Sequence, residues 1–160
     1  MSDSRADLLD LLYLRPGFLL RRAHQLSVGL FEEGCRELSL TPPQYGVLTI
    51  VEHAGGCDQA AVARALGFDR VTTLRIVRGL QTRGLVARQP CMIDSRRLQL
   101  TLTAEGAATL TRGRKLAAGV TERLMAPLAG DEREQFQRLL RKLCAGLEPH
   151  ARAKLLPPGC

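Results

Sequence analysis

The sequence predicts a mostly α-helical chain with a small β wing: a winged helix-turn-helix with long helices on both sides. Three observations carry this. Short helical segments, each opened by a side-chain cap, follow one another between Thr41 and Gly84. After Gly84 the apolar period switches from helical to alternating. Long stretches with apolar residues at helical spacing lie before and after this unit.

The elements follow in order. Ser4 and Asp7 open a short apolar helix through Leu8, Leu9, Leu11 and Leu12, which Arg15-Pro16-Gly17 halts because the residue before proline avoids helical angles. A longer helix runs from about Pro16 to Glu37. Leu19, Ala23, Leu26 and Leu30 form one stripe, and Leu20, His24, Ser27 and Phe31 a second. A helix apolar on two sides is covered on both, by its own domain or by a partner chain.

Thr41-Pro42-Pro43-Gln44 is the clearest helix start, with Thr41 as N-cap, Pro42 at the tolerated first position and Gln44 completing a capping box. That helix runs to about His53, with Tyr45, Leu48 and Val51 inward. Asp58 caps Gln59 to Leu66, ended by Gly67; Asp69 caps Arg70 to Arg83, with Leu74, Val77 and Leu80 inward and Gly84 as the stop. Leu85–Arg88 and Leu98–Leu102 read as strands of an extended hairpin. Thr103 caps a helix from Ala104 to about Ala126, and Asp131-x-x-Glu134 opens a last one with Phe136, Leu139, Leu140, Leu143 and Leu147 on one face.

Composition narrows the function. The 160 residues carry 23 Lys+Arg against 16 Asp+Glu, a formal charge of +7, and 20 of the basic residues are arginine. Arginine suits bidentate contacts to phosphate or guanine, although a GC-rich coding sequence would produce the same bias. The balance favours a polyanion, nucleic acid before an anionic membrane. It is not confined to the helix-turn-helix: residues 1–40 sum to −1, residues 41–102 to +4 and residues 103–160 to +4. Position rather than total charge must identify the interface, and the C-terminal excess is expected to solvate an outer face.

Several classes drop out. No apolar run approaches the roughly 18 residues of a membrane span, and Met1–Asp7 lacks the pattern of a signal peptide. Five cysteines, at 35, 57, 91, 144 and 160, with no C-x-x-C pair, argue against a disulfide framework or zinc cluster and for a reducing cytoplasm. Three scattered histidines offer no metal site, and no cofactor is expected. There is no nucleophilic triad order and no phosphate-binding glycine loop, so an enzyme is not expected. Aromatics at 4% with no Trp disfavour single-strand binding by base stacking.

In a helix-turn-helix the second helix reads base edges in the major groove. Here its outer face is expected to present Arg70, Thr72, Thr73, Arg75 and Arg78, with Gln59 at the start of the preceding helix counted among the DNA contacts. The hairpin tip Asp94-Ser95-Arg96-Arg97 supplies Asp94, Arg96 and Arg97, an acid able to orient an arginine towards phosphate or minor groove. An ordinary solvated helix face and a charged turn remain the plain alternatives.

Between Thr41 and Thr103 the chain resembles the MarR family of bacterial transcriptional regulators. The residues that carry this are Leu40-Thr41-Pro42-Pro43-Gln44-Tyr45, Val62-Ala63-Arg64-Ala65-Leu66-Gly67, Asp69-Arg70, Leu80, Arg83-Gly84-Leu85-Val86, Asp94-Ser95-Arg96-Arg97 and Leu100-Thr101-Leu102-Thr103-Ala104-Glu105-Gly106. Ser95 stands where many relatives carry a basic residue. The resemblance implies a homodimer with interleaved terminal helices, binding double-stranded operator DNA and released by a small, often phenolic or aromatic-acid ligand. It divides the chain into N-terminal dimerisation helices (1–40), a DNA-binding winged helix-turn-helix (41–102), C-terminal dimerisation helices (103–148) and a loose tail (149–160).

The segment Arg15 to Gln25 is similar to the start of family members that repress catabolism of aromatic or heteroaromatic acids. An anionic aromatic ligand calls for a cation beside an apolar slot, so Arg15, His24 and Tyr45 are the candidate ligand residues. The alternative makes His24 a core histidine, Arg15 a surface residue and Tyr45 simple packing. Two other functions stay open: a thiol-oxidation sensor at Cys57 or Cys91, and a winged-helix protein-interaction module without DNA binding. The effector, the operator and the sense of regulation are not readable from the residues.

Overall fold

The computed structural model describes residue 9, residues 11–90 and residues 98–156. The expected N-terminal cap at Ser4 lies outside the described residues; residues 11–13 are helical. Helix α1 (Pro16–Gly34) follows, then a 3-10 turn (Arg36–Leu38). Helices α2 (Pro42–His53), α3 (Gln59–Leu66) and α4 (Arg70–Thr82) form the helix-turn-helix unit. Strands β1 (Val86–Pro90) and β2 (Leu98–Leu102) pair antiparallel from Val86 opposite Leu102 to Pro90 opposite Leu98. Helices α5 (Ala104–Met125) and α6 (Gly130–Leu147) complete the chain, with a 3-10 turn at Glu148–His150.

The predicted caps are present. Thr41 and Gln44 form the reciprocal capping box at 3.4 and 3.1 Å. Asp58 accepts the Ala61 N–H at 2.7 Å, Asp69 that of Thr72 at 2.7 Å and Thr103 that of Gly106 at 2.9 Å. At α6 the side chain that reaches back is Glu132, accepting the Ala129 N–H at 2.8 Å, rather than Glu134. Cys57 adds a third backbone segment to the wing, exchanging N–H···O=C bonds of 3.2 and 2.7 Å with Leu100.

The core lies where α2, α3 and α4 meet the wing base and α5. Val47, Leu48, Val51, Val62, Val77, Leu80, Leu100 and Leu110 are buried there. Helix α1 packs on α5 so closely that a Cβ at Gly34 would collide with Val120. The start of α5 likewise abuts the backbone carbonyl of Leu85, which leaves only glycine at position 106. Ion pairs fix the same contacts: Arg112–Glu37, Arg114–Glu52 and Arg123–Glu33 join α5 to the 3-10 turn, α2 and α1. These arginines brace α5 against its neighbours while about half of each side chain stays in solvent.

The tail is also corrected over its described part. Residues 151–156 fold back onto the helix-turn-helix, where the Leu156 N–H donates to the Arg64 carbonyl at 2.8 Å. By contrast, α6 buries no residue within the chain. Phe136, Leu139, Leu143 and Leu147 on α6, and Leu19, Leu20 and Leu26 on α1, are all exposed.

Arg83 closes the unit. Its guanidinium donates to the Leu38 carbonyl at 2.6 Å and the Ser39 carbonyl at 2.8 Å, tying the end of α4 to the α1–α2 connection. Replacing Arg83 by Ala is expected to lower unfolding stability by about 1–2 kcal/mol, since a charge-assisted donor to two carbonyls is lost. Arg83→Lys should recover only part of it, because an ammonium lacks the fork. Urea midpoints at constant m-value measure both.

Candidate nucleic-acid interface

Helix α4 is set by its cap. Asp69 accepts both the N–H and the hydroxyl of Thr72, at 2.7 and 2.8 Å. These two bonds, backbone first, hold its carboxyl below the usual carboxylate range. A charged cap therefore opens the helix at neutral pH and fixes its rotation.

That rotation places Arg70, Arg75 and Arg78 at the surface, as expected, with Thr72 half-exposed. Thr73 is not with them. Its side chain is fully buried, and its hydroxyl donates to the Asp69 carbonyl at 2.8 Å. A threonine that satisfies its hydroxyl on the carbonyl four residues back can turn its methyl into the core. The inward stripe is Thr73, Val77 and Leu80, while Leu74 is only half-buried.

Val71 was not anticipated. It is 77% exposed and stands at i, i+4 and i+7 with Arg75 and Arg78, a spacing that already marks one helix face. An exposed apolar side chain between arginines is suited to a thymine methyl.

Gln59 is half-exposed, and its carbonyl oxygen accepts from Arg88 Nη2 at 2.9 Å, linking the start of α3 to strand β1. The predicted contact is thus also a brace between helix and wing, through an arginine the sequence reading did not single out. Asp94, Arg96, Arg97 and Cys91 lie outside the described residues.

Charge compensation distinguishes the arginines of α4 from those of α5, while among the described residues Arg138, Arg141 and Lys142 on α6 are likewise without an ion pair. The arginines of α5 at 112, 114 and 123 have carboxylate partners. Among the described residues Arg70, Arg75 and Arg78 have none.

The ligand candidates do not converge within one chain. Arg15 and His24 are both exposed on α1, and nine residues at 100° each put them on opposite faces, about 13 Å apart along the axis. Tyr45 is half-buried against Phe31, ring centroids 5.5 Å apart, with α5 passing at Gly113. His24 shares the Phe31 face, seven residues away, whereas Arg15 lies about 24 Å of helix rise from Phe31.

Two of the described thiols fit sensing poorly. Burial, then the Asp58 charge, pushes the Cys57 thiol up to about 11, and burial followed by Glu37 raises that of Cys35. Cys144 is exposed. Among the described residues no cluster of His, Cys, Asp and Glu could hold a metal, and no helix is long and apolar enough to cross a membrane.

The chain is similar to known DNA-binding regulators. A family model described as MarR family matches residues 38–97. The HTH-type transcriptional repressor NicR of Pseudomonas putida is 33% identical over 127 residues, covering 79% of this chain and 80% of the relative. The structure of Bordetella bronchiseptica BpsR, described by the regulation of its DNA binding by 6-hydroxynicotinic acid, aligns with a TM-score of 0.75 and 30% identity over 82% of this chain and 94% of that one. A mutant MarR from Escherichia coli, complexed with operator DNA, aligns with a TM-score of 0.74 and 26% identity over 79% and 91%.

Since so little Cys57 thiolate exists near neutral pH, Cys57→Ser is expected to leave the response of DNA binding to hydrogen peroxide unchanged. A gel-retardation series with and without peroxide checks this; loss of a peroxide response in the variant would assign sensing to Cys57.

Proposed function

The chain belongs to the MarR family of transcriptional regulators, and on that premise we propose that it is a homodimeric, sequence-specific double-stranded-DNA-binding repressor, released by a small aromatic or heteroaromatic acid. The observation that carries the reading is the uncompensated α4 face, where Arg70, Arg75 and Arg78 flank exposed Val71 while the arginines of α5 are paired. In this reading α4 enters the major groove, Thr72 and Gln59 contact the flanking backbone, and Asp94, Arg96 and Arg97 form the wing contact. Thr73 supports the helix from inside.

Dimerisation is supported by the apolar faces of α1 and α6, which the chain leaves open. Burying a leucine side chain is worth about 1.5–3 kcal/mol, so several on one face favour a second copy. Residues 1–40 and 103–148 are the proposed dimerisation segments, and residues 41–102 the reading head.

Repression and the acid effector extend to this chain what NicR and BpsR are described as doing. The site is placed at the junction of α1, α2 and α5, with Tyr45 and His24 from one chain. Arg15, on the opposite face of α1, joins such a site only from the partner subunit. With DNA as its partner, the protein works in the cytoplasm without a cofactor and without catalysis.

Purified protein is expected to sediment as a dimer and to retard its own promoter fragment, with log K falling linearly against log salt. Arg75→Ala should weaken operator binding by about 1–3 kcal/mol and relax the preference at one base position, if it reads a base. Unchanged binding after Arg75 and Arg78 are both replaced would overturn the assignment of α4.

An aromatic acid that raises the melting temperature should raise it less in a His24→Ala variant, because a charge-assisted contact is removed. Equal shifts in both proteins would remove His24 from the site.

A further inference from the structure

We propose that the cavity beneath the C-terminal strap is a binding site for a small amphipathic carboxylate, separate from the effector site placed at Tyr45. The cavity lies in the angle between α3 and α4, open to solvent and bordered by Ala153, Lys154 and Leu156 of the strap, with a volume of about 290 Å³. That is near the lower end of ligand pockets, roughly 300–1,000 Å³. A molecule of about one ring fits such a space.

The strap is a built element. The Glu148 carboxylate accepts the Leu155 N–H at 2.6 Å, and the Lys154 ammonium donates to the Pro149 and Glu148 carbonyls at 3.0 and 3.5 Å. The loop so closed delivers the Leu156 N–H to the Arg64 carbonyl. Gly67, at φ 65°, makes the left-handed turn between α3 and α4, and Leu155 packs beside it.

The lining has the two characters an amphipathic anion needs. Ala63 and Phe68 give an apolar floor, Leu156 an exposed apolar edge, and Arg64, Arg70 and Lys154 bring three cations to the rim. One acid, Asp69, lines the cavity too, and it is held by Thr72 as the cap of α4. Among the described residues the guanidiniums of Arg64 and Arg70 have no acidic partner. A bare phosphate would use the rim and leave the floor empty; a neutral ring would leave the guanidiniums unanswered. A carboxylate on a small apolar body uses both.

The site stands whether or not α4 reads DNA, and benzoate binding tests it without DNA. In a titration of the ¹⁵N-labelled full chain, the amides of Gly67, Phe68 and Lys154 are expected to shift together and saturate with benzoate. Benzyl alcohol and inorganic phosphate should move them far less. Arg64→Ala and Arg70→Ala, both at exposed positions, should each weaken benzoate about tenfold at these amides, the loss of one charge-assisted contact. His24→Ala should leave them unaffected, which separates this site from the effector site. Amides that fail to saturate, an equal response to benzyl alcohol or phosphate, or unchanged affinity in both cation variants would overturn the proposal.

Discussion

The structure hangs on a short stretch of backbone that no helix or strand satisfies. Between the 3-10 turn and α2 the chain passes through Ser39 at φ 48°, a left-handed conformation uncommon for a residue with a Cβ. The carbonyls of Leu38 and Ser39 fall outside any ladder there, and Arg83, capping the far end of α4, supplies donors to both. The same guanidinium lies 3.5 Å from the Gln44 side-chain oxygen that closes the capping box of α2. Three ends meet in one place: the exit of α1, the start of α2 and the exit of α4. None can be respaced without breaking bonds held by the other two.

This joint connects two parts with different surfaces. Helix α1 is fastened to α5 by the close approach at Gly34 and by Arg123–Glu33, while the exposed faces of α1 and α6 carry leucines. The reading head is fastened to α5 at Gly106 and by Arg114–Glu52. The strap adds another connection, from the end of α6 to the turn between α3 and α4. Movement of the terminal helices therefore has several routes to α4, and Tyr45 lies beside the shortest of them, between Phe31 and α5.

What was legible in the sequence was local. The caps at Thr41, Asp58, Asp69 and Thr103 were readable because donor and acceptor lie three residues apart, and the wing because its period changes after Gly84. The face of α4 was misjudged at one position: Thr73 looks polar, but a hydroxyl satisfied on its own helix leaves a methyl that packs like valine. Arg15 and His24 do not face one slot within a single chain, since nine residues of helix reverse the face. Contacts across long separations left no trace in spacing. Nothing near Arg83 points to Ser39, 44 residues earlier, and nothing in Leu155-Leu156 signals that the strap returns to Arg64. The comparisons identify the family through the same local segments, and they leave the strap unexplained.

The charge distribution shows why position outranks total. Exposed ion pairs such as Arg112–Glu37 and Arg123–Glu33 contribute only about 0–1 kcal/mol each. Their larger effect is on the field. A cation with a carboxylate about 3 Å away looks nearly neutral from beyond the Debye length, about 8 Å at physiological ionic strength. The arginines of α5 are therefore muted towards a distant polyanion, although residues 103–160 carry the same +4 as residues 41–102. On α4 no carboxylate does this for Arg70, Arg75 or Arg78, and Asp69, the acid nearest to them in sequence, is engaged by Thr72. These three arginines keep their full charge towards an approaching duplex, as Arg138, Arg141 and Lys142 of α6 do among the described residues. What marks α4 is that its cations share the exposed face of the second helix of a helix-turn-helix, the element that enters the major groove.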